Sequence, residues 1–387
     1  MLKINILMSS IVLIIVFFIA IKANGTQKYD FYLKKNYTFY KDKLMTKDGR
    51  IMDPDRDNIT TSEGQSYIML QSLAVEDKKT FDLAYKWAKN NLQREDKLFS
   101  WLWGESKNGK YEILDTNSAS DADMDIAFAL ILAYERWGEY RYYFEAIPII
   151  NSIWINETKR IGDYLILMPG AEQTKSEKIE VNPSYFSPYA FKFFKKYDKW
   201  HDWNKITESS YYYIMASSAK TKTGLPPDWF LIENGQIVLE DSQRSDFSYD
   251  AIRVFKKIYW DYVRTGDKRD LPILEKAKFF IGKWEIKKKG VNNLYTNWKM
   301  DGAPRDLNEF IGSIAILILP ISMYNQKAAT EIYKKKIEPY LINKEQWKIR
   351  KDYYGKNLLW YGCHFYFKNS SEYKDMDKLK KSILQKK

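Results

Sequence analysis

The chain has 387 residues, 45% of them apolar, which excludes wholesale disorder and allows one large globular domain or two ordinary ones. Its formal charge is +12, but the lysines are dispersed in short KK and KKK steps, densest at Lys378, Lys380, Lys381, Lys386 and Lys387. With no zinc-finger spacing, aromatic ribonucleoprotein motif or isolated basic arm, no nucleic-acid partner is expected. A single cysteine, Cys363, excludes an internal disulfide framework. Two histidines, His201 and His364, cannot build a His-rich metal site and leave little room for a His-based triad, so carboxylates are the expected carriers of chemistry. Aromatics reach 16%, with 13 Trp and 30 Tyr. Flat rings can stack on sugar faces or simply pack helices, and composition does not separate the two.

Ile4 to Ile21 form an apolar stretch between Lys3 and Lys22, long enough to span a bilayer as a helix. No A-x-A cleavage site follows, so residues 1–27 are expected to be a signal anchor, or else a signal peptide, with the body 28–387 exported. From about Lys28 onward the pattern predicts helices joined by short loops. Gln65 to Glu76 comes first, then Thr80 to Leu92 with Phe81, Ala84, Trp87, Ala88 and Leu92 at helical spacing. Ile126, Leu130, Ala133 and Trp137 make the next stripe, after a loop ending at Ser120. Further stripes cover roughly 139–157, 185–198, 203–218 and 269–285. Ile252, Phe255, Tyr259 and Tyr262 form another, which Gly266 should end. The remaining ones cover 308–323, 326–340 and 354–368. Strand signals are scarce: Leu165 to Met168 and Gln236 to Leu239. No linker divides the body. The expected fold is therefore all-α, about a dozen helices that can close as two concentric rings with a groove at one rim.

Glycoside hydrolysis needs two carboxyl groups flanking the scissile bond, one to donate a proton and one to activate water or attack the sugar. Three segments offer candidates. In Thr61-Ser62-Glu63-Gly64-Gln65, Ser62 is a plausible N-cap and Glu63 sits at a loop-to-helix corner. The helix dipole there would lower the Glu63 pKa, so a role as acid requires burial or a neighbouring anion. In Ala119-Ser120-Asp121-Ala122-Asp123-Met124-Asp125, three carboxylates enter a helix at alternate positions. Asp121 or Ser120 could cap it and Asp125 could face solvent, or mutual repulsion could manage a proton. In Ser248-Tyr249-Asp250-Ala251-Ile252-Arg253, Asp250 lies three residues before Arg253, close enough to pair. Asp53-Pro54-Asp55-Arg56-Asp57 imitates a calcium loop but fails it, because Asn58 replaces the turn glycine and Gly64 stands at the twelfth position.

Together these segments resemble glycoside hydrolase family 8. Asp121 and Asp123, followed by Ile126-Ala127, Ala129-Leu130, Ala133 and Trp137, match that family's long signature; Ser62-Glu63-Gly64-Gln65 resembles its general-acid segment. Tyr249 to Arg253 resembles the segment that carries its base. Asn182 to Phe186, Gly224 to Trp229 and Tyr353 to Leu358 are similar to further family segments, in family order, so the resemblance runs from about Asp53 to Phe367. It implies an (α/α)6 barrel and an inverting mechanism without metal or organic cofactor. Glu63 is then the acid, Asp250 the base, and Asp121, or Asp123 next, the residue that grips the central sugar. Trp101, Trp103, Trp229 and Tyr249 are the implied stacking rings, with Tyr185, Asp228 and Arg253 also lining the substrate.

Three positions depart from common members: Ser66 and Ile68 stand where glycines are usual, and Phe255 where proline is. They flank the acid and base without removing either. The resulting expectation is an endo-acting, monomeric hydrolase of a β-linked polysaccharide, a β-1,4-glucan in the simplest case. It would sit at the outer face of the cell membrane or be secreted, beside exopolysaccharide synthesis machinery. A non-catalytic polysaccharide-binding or assembly protein on the same barrel is the alternative, and hydrolysis of an acidic polymer a third.

Overall fold

The computed structural model describes residues 33–342, apart from 286 and 289–290, and residues 352–368. The apolar segment Ile4 to Ile21 and the boundary at residue 27 lie outside the described residues. A helix over 33–44 (α1) leads to α2 (Ser62–Ala74), α3 (Lys78–Asn91), α4 (Ser120–Trp137) and α5 (Tyr140–Asn156). Then come α6 (Pro188–Tyr197), α7 (Trp203–Ser218), α8 (Ile252–Thr265), α9 (Asp270–Glu275) and α10 (Lys278–Glu285). α11 (Ile311–Tyr324), α12 (Gln326–Ile332), a π-type stretch at Tyr333–Ile337, α13 (Glu338–Ile342) and α14 (Tyr353–Lys368) complete the order.

Six of these make an inner ring. α2 packs on α4, α4 on α6, α6 on α8, α8 on α11 and α11 on α14. α14 returns to α2, where Gln71 Nε2 donates to Asn357 Oδ1 at 2.9 Å and the Tyr361 hydroxyl donates to the Tyr67 carbonyl at 3.4 Å. The helices between them, α3, α5, α7, α9 and α12, each lie against the preceding inner helix. Sequence explains the division. α11 reads IGSIAILILPIS and α4 is buried from Ser120 to Ile131, so both are enclosed on all sides; α3 carries one apolar stripe and faces water on the other. Each enclosed Ile or Leu contributes roughly 1.5–3 kcal/mol over leaving it exposed.

Each inner helix is entered from the same rim, so the six N-termini gather at one end. α8 ends at Gly266, whose φ of +68° is the left-handed conformation that a β-carbon disfavours.

The fold is mainly helical, as the periodicity predicts, with more strand than expected. β1 (Thr60–Thr61) pairs with β2 (Ser100–Glu105), which pairs with β3 (Tyr111–Ser118), all antiparallel. β4 (Thr158–Ile161) and β5 (Tyr164–Leu167) form a hairpin, and β6 (Ile179–Val181), β7 (Phe230–Glu233) and β8 (Gln236–Val238) a third sheet. The β2–β3 hairpin escapes the sequence pattern because Tyr111, Ile113 and Leu114 are apolar yet exposed, which erases the in–out alternation. The helix predicted over 269–285 is divided after Glu275.

Candidate active site

Local structure places each side chain at the rim. Thr61, not Ser62, caps α2: its backbone is extended and its Oγ1 accepts from the Gly64 N–H at 3.1 Å. Gly64 is required, since a β-carbon there would overlap the Tyr353 hydroxyl. At α8, Asp228 accepts from the backbone N–H groups of Ser248 at 3.0 Å and Ala251 at 2.7 Å, fixing the turn that carries Asp250. Burial, reinforced by the Asp250 charge, pushes Asp228 up to about 7.

The buried Arg253 guanidinium joins the three candidate segments. Its Nη1 donates to Glu63 Oε2 and, at 3.0 Å, to Asp121 Oδ2; its Nη2 donates to Asp250 Oδ1 at 2.6 Å. Glu63 and Asp250 keep 23% and 33% of their side-chain surface while Asp121 keeps 8%, so the first two reach solvent at the rim and the third lies deeper. Burial pushes the Glu63 carboxyl above its ordinary value; Arg253 opposes the rise, Asp121 adds to it and Lys256 opposes it again. The dipole expected to lower this group is outweighed by loss of water.

Rings surround the cluster. Arg253 lies 5.4 Å from the Tyr185 ring, which meets Trp229 edge-on at 6.1 Å. The Trp229 indole N–H donates to Asp250 Oδ2 at 2.8 Å. Tyr249 is 38% exposed, its hydroxyl accepting from Asn308 Nδ2 at 2.8 Å and its carbonyl from the Tyr354 hydroxyl at 2.7 Å. Trp101 is half-buried on β2, beside the Leu102 that pairs with Thr61. The Trp103 ring is already engaged by Trp87, Tyr111 and the Arg50 guanidinium.

Asp123 does not join the Arg253 cluster. It is fully buried, and its Oδ1 accepts from the Phe99 N–H at 2.8 Å. Its other neighbour is the buried Glu157, which also accepts from the Ser118 hydroxyl at 2.7 Å. Burial, then the Glu157 charge, drives Asp123 well above the carboxylate range, and burial raises Glu157 to about 8. Through Phe99 and Ser118 the two carboxyls tie α4 and the end of α5 to the start and the end of the β2–β3 hairpin. Asp125 does not face solvent either: α4 is enclosed from Ser120 to Ile131, and Asp125 Oδ1 accepts from the Tyr189 hydroxyl at 2.6 Å. N-capping also falls to neither Asp121 nor Ser120, because α4 begins after an extended Ala119.

Sequence reasoning missed Lys256 and Lys257, counted there only among the dispersed KK steps. Both are buried behind the site. Lys256 lies over the Tyr67 and Tyr361 rings, and Lys257 donates to Ser187 Oγ at 2.8 Å and the Tyr185 carbonyl at 3.1 Å. Burial lowers Lys257 to about 8. The stripe of Ile252, Phe255 and Tyr259 was the available signal, since it places two lysines between inward-facing positions.

Residues 4–332 match the model described as Glycosyl hydrolases family 8. The chain belongs to glycoside hydrolase family 8. An endoglucanase of Escherichia coli (strain K12) is 35% identical over 225 residues, 56% of this chain and 59% of that protein. The chain thus spans about three fifths of that curated relative's length. Among solved structures, the endo-1,4-D-glucanase from Vibrio fischeri ES114 aligns with a TM-score of 0.71 and 26% identity, covering 86% of this chain and 94% of that one. The endo-beta-1,4-glucanase of Acetobacter xylinum also gives 0.71, at 25% identity over 87% of this chain and 98% of that one. Family 8 membership accords with the double ring of helices and with the rim where Arg253 gathers its carboxylates.

Proposed function

We propose that this family 8 chain hydrolyses a β-1,4-linked glucan or related exopolysaccharide internally and with inversion. The observation that carries the reading is the Arg253 fork, which holds Glu63, Asp121 and Asp250 at one groove although they are distant in the chain. The relatives named above are called endoglucanases, which supports the substrate class. Glu63, its pKa raised by burial, donates its proton to the glycosidic oxygen as the bond to the anomeric carbon breaks. Asp250, held by Arg253 and Trp229, takes a proton from the water that attacks that carbon from the opposite face. Such water needs a carboxyl separation of about 6.5–9.5 Å, against about 5–5.5 Å for a covalent route. Asp121 grips the hydroxyls of the distorted central sugar; Trp229, Tyr249 and Tyr185 supply faces for its neighbours. Residues 4–21 tether or export the body, placing the groove outside the cell beside the polymer that it trims.

Incubation with β-1,4-glucan, mixed-linkage glucan, chitosan and xylan, with reducing ends counted, tests the reading. The α-anomer should appear first by NMR, with a rapid fall in viscosity. A β-anomer as first product would replace inversion by retention, and no new ends from any polymer would remove hydrolysis.

A further inference from the structure

The C-terminal ends of α2, α4, α8 and α14 and the starts of α3 and α5 form the face opposite the carboxylate rim. The described chain enters at this face. α1 runs antiparallel to α14: Asn36 and Trp360 line one small cavity with Tyr40 and Lys356. Near its start, the Tyr37 hydroxyl donates to Asp77 at the head of α3. Beyond its other end, the Ile51 N–H donates to Gln65, close to the acid. α14 brings residue 368 to the same face. Both described ends therefore leave the barrel on the side away from Glu63 and Asp250.

Only residues 22–32 separate Ile21 from Leu33. Fully extended, that stretch reaches about 40 Å, so a bilayer holding residues 4–21 would lie close to this face. After residue 368 the sequence carries Lys374, Lys378, Lys380, Lys381, Lys386 and Lys387 against Glu372, Asp375 and Asp377. The face itself has large uncovered rings: Tyr140 is 62% exposed and Phe144 67%. Lys34 and Lys79 are exposed nearby. A cavity of about 390 Å³ lies between the helix ends, with Trp260, Trp360 and Phe365 in its wall and Arg264 beside them. Glu135 and Arg136 share the lining, and Glu135 is the nearest acidic influence on Arg264, so the wall carries two arginines against one carboxylate. Tyrosine and tryptophan rings with phenylalanine beside them, flanked by lysine and arginine, suit the headgroup layer of a bilayer.

We infer that this face is turned toward a phospholipid surface carrying anionic headgroups, so that the groove opens away from the membrane. The inference rests on the tethered reading of residues 4–21. Its test uses the full chain in phosphatidylcholine–phosphatidylglycerol liposomes, with a fluorophore on Tyr140→Cys or Lys79→Cys for the lower face and on Leu307→Cys for the rim. Leu307 is 71% exposed, and the natural Cys363 is buried; the unsubstituted chain supplies its background. Brominated lipid should quench the labels at 140 and 79 several-fold more than the label at 307, and the difference should shrink in vesicles of phosphatidylcholine alone. Equal quenching, or stronger quenching at 307, in a chain that floats with the vesicles overturns the orientation while the tether stands. Failure to float removes the tether and the orientation together. Protection of the label at 140 by soluble glucan, without lipid dependence, assigns the face to polysaccharide instead.

Discussion

The indole N–H of Trp229 donates to Oδ2 of Asp250 at 2.8 Å, while Arg253 donates to Oδ1 of the same carboxylate at 2.6 Å. The proposed base is thus held at both oxygens before any substrate arrives, and its orientation is set by a neutral donor on one side and a cation on the other. Trp229→Phe keeps a ring and removes the neutral donor. A hydrogen bond to a charged group contributes about 1.5–3 kcal/mol, so kcat should fall roughly 10- to 100-fold. KM should change far less. Steady-state kinetics on soluble glucan check this, and an unchanged kcat would show that the indole only stacks.

Glu63→Gln and Asp250→Asn each remove one proton-transfer group and retain the side-chain outline. General acid–base groups contribute about 10²–10⁴-fold, and each variant should lose activity on that scale with an unchanged circular dichroism spectrum. Activated aryl glycosides, which need little protonation, should partly rescue Glu63→Gln and not Asp250→Asn. Rescue of the second would exchange the two roles.

The alkaline limb has a sign that can be worked out. Asp121 is one of the groups that raise the Glu63 carboxyl, after burial itself. Glu63 must be protonated to act, so activity is lost as pH rises through its pKa. In Asp121→Asn the negative neighbour is gone, the Glu63 pKa drops, and the alkaline limb of kcat/KM should move to lower pH. A limb that stays in place, or moves upward, would separate Glu63 from that limb.

The Asp123–Glu157 pair is a separate pH-dependent element. Glu157 is raised from 4.5 to about 8 by burial, so the folded chain keeps a proton that the unfolded chain releases. Stability should therefore be greatest below pH 4.5 as far as this group is concerned, and decline up to about pH 8. Glu157→Gln removes that decline. Urea unfolding at pH 5 and pH 8 should show the variant gaining on the parent chain by an amount on the order of a few kcal/mol. A parallel pH dependence in both chains would refute the raised Glu157 carboxyl.

Arg253→Met leaves Glu63, Asp121 and Asp250 facing one another without the cation between them. Removing one partner of a buried ion pair costs about 3–5 kcal/mol, and the low end applies because Asp250 remains a third exposed. Activity should be lost together with several degrees of melting temperature, read by thermal denaturation.

How far this site is legible in the sequence depends on helix geometry. Asp121, Glu63 and Asp250 stand at helix starts, where motif position is enough to find them. The alternation of Asp121, Asp123 and Asp125 misleads, because successive helix positions turn by about 100°. Asp123 therefore points to the far side of α4, toward Phe99 and Glu157, and Asp125 lies under Asp121 one turn deeper, against Tyr189. Lys256 and Lys257 misread for a related reason: a KK step has a solvated face only on a helix with a solvent side, and α8 belongs to the inner ring. The rings of the β2–β3 hairpin could not be placed, since pairing Thr60 with Trp103 joins residues far apart and leaves no periodic trace. The division of 269–285 after Glu275 and of 326–340 by the π-type stretch shows the opposite case, where stripes of apolar residues mark helices well and their breaks poorly.

Closure of the ring has a consequence for how the chain is made. The bond from Gln71 to Asn357 spans 286 residues, and Tyr353, whose hydroxyl lies against Gly64, comes from the same late helix. At a synthesis rate of about 5–20 residues per second, the helix bearing Glu63 waits roughly 15–60 s on the ribosome for its last neighbour. During that interval the nascent chain holds an unlatched barrel, and a ribosome stalled before α14 releases a polypeptide with all three groove carboxylates and no finished wall behind the first of them.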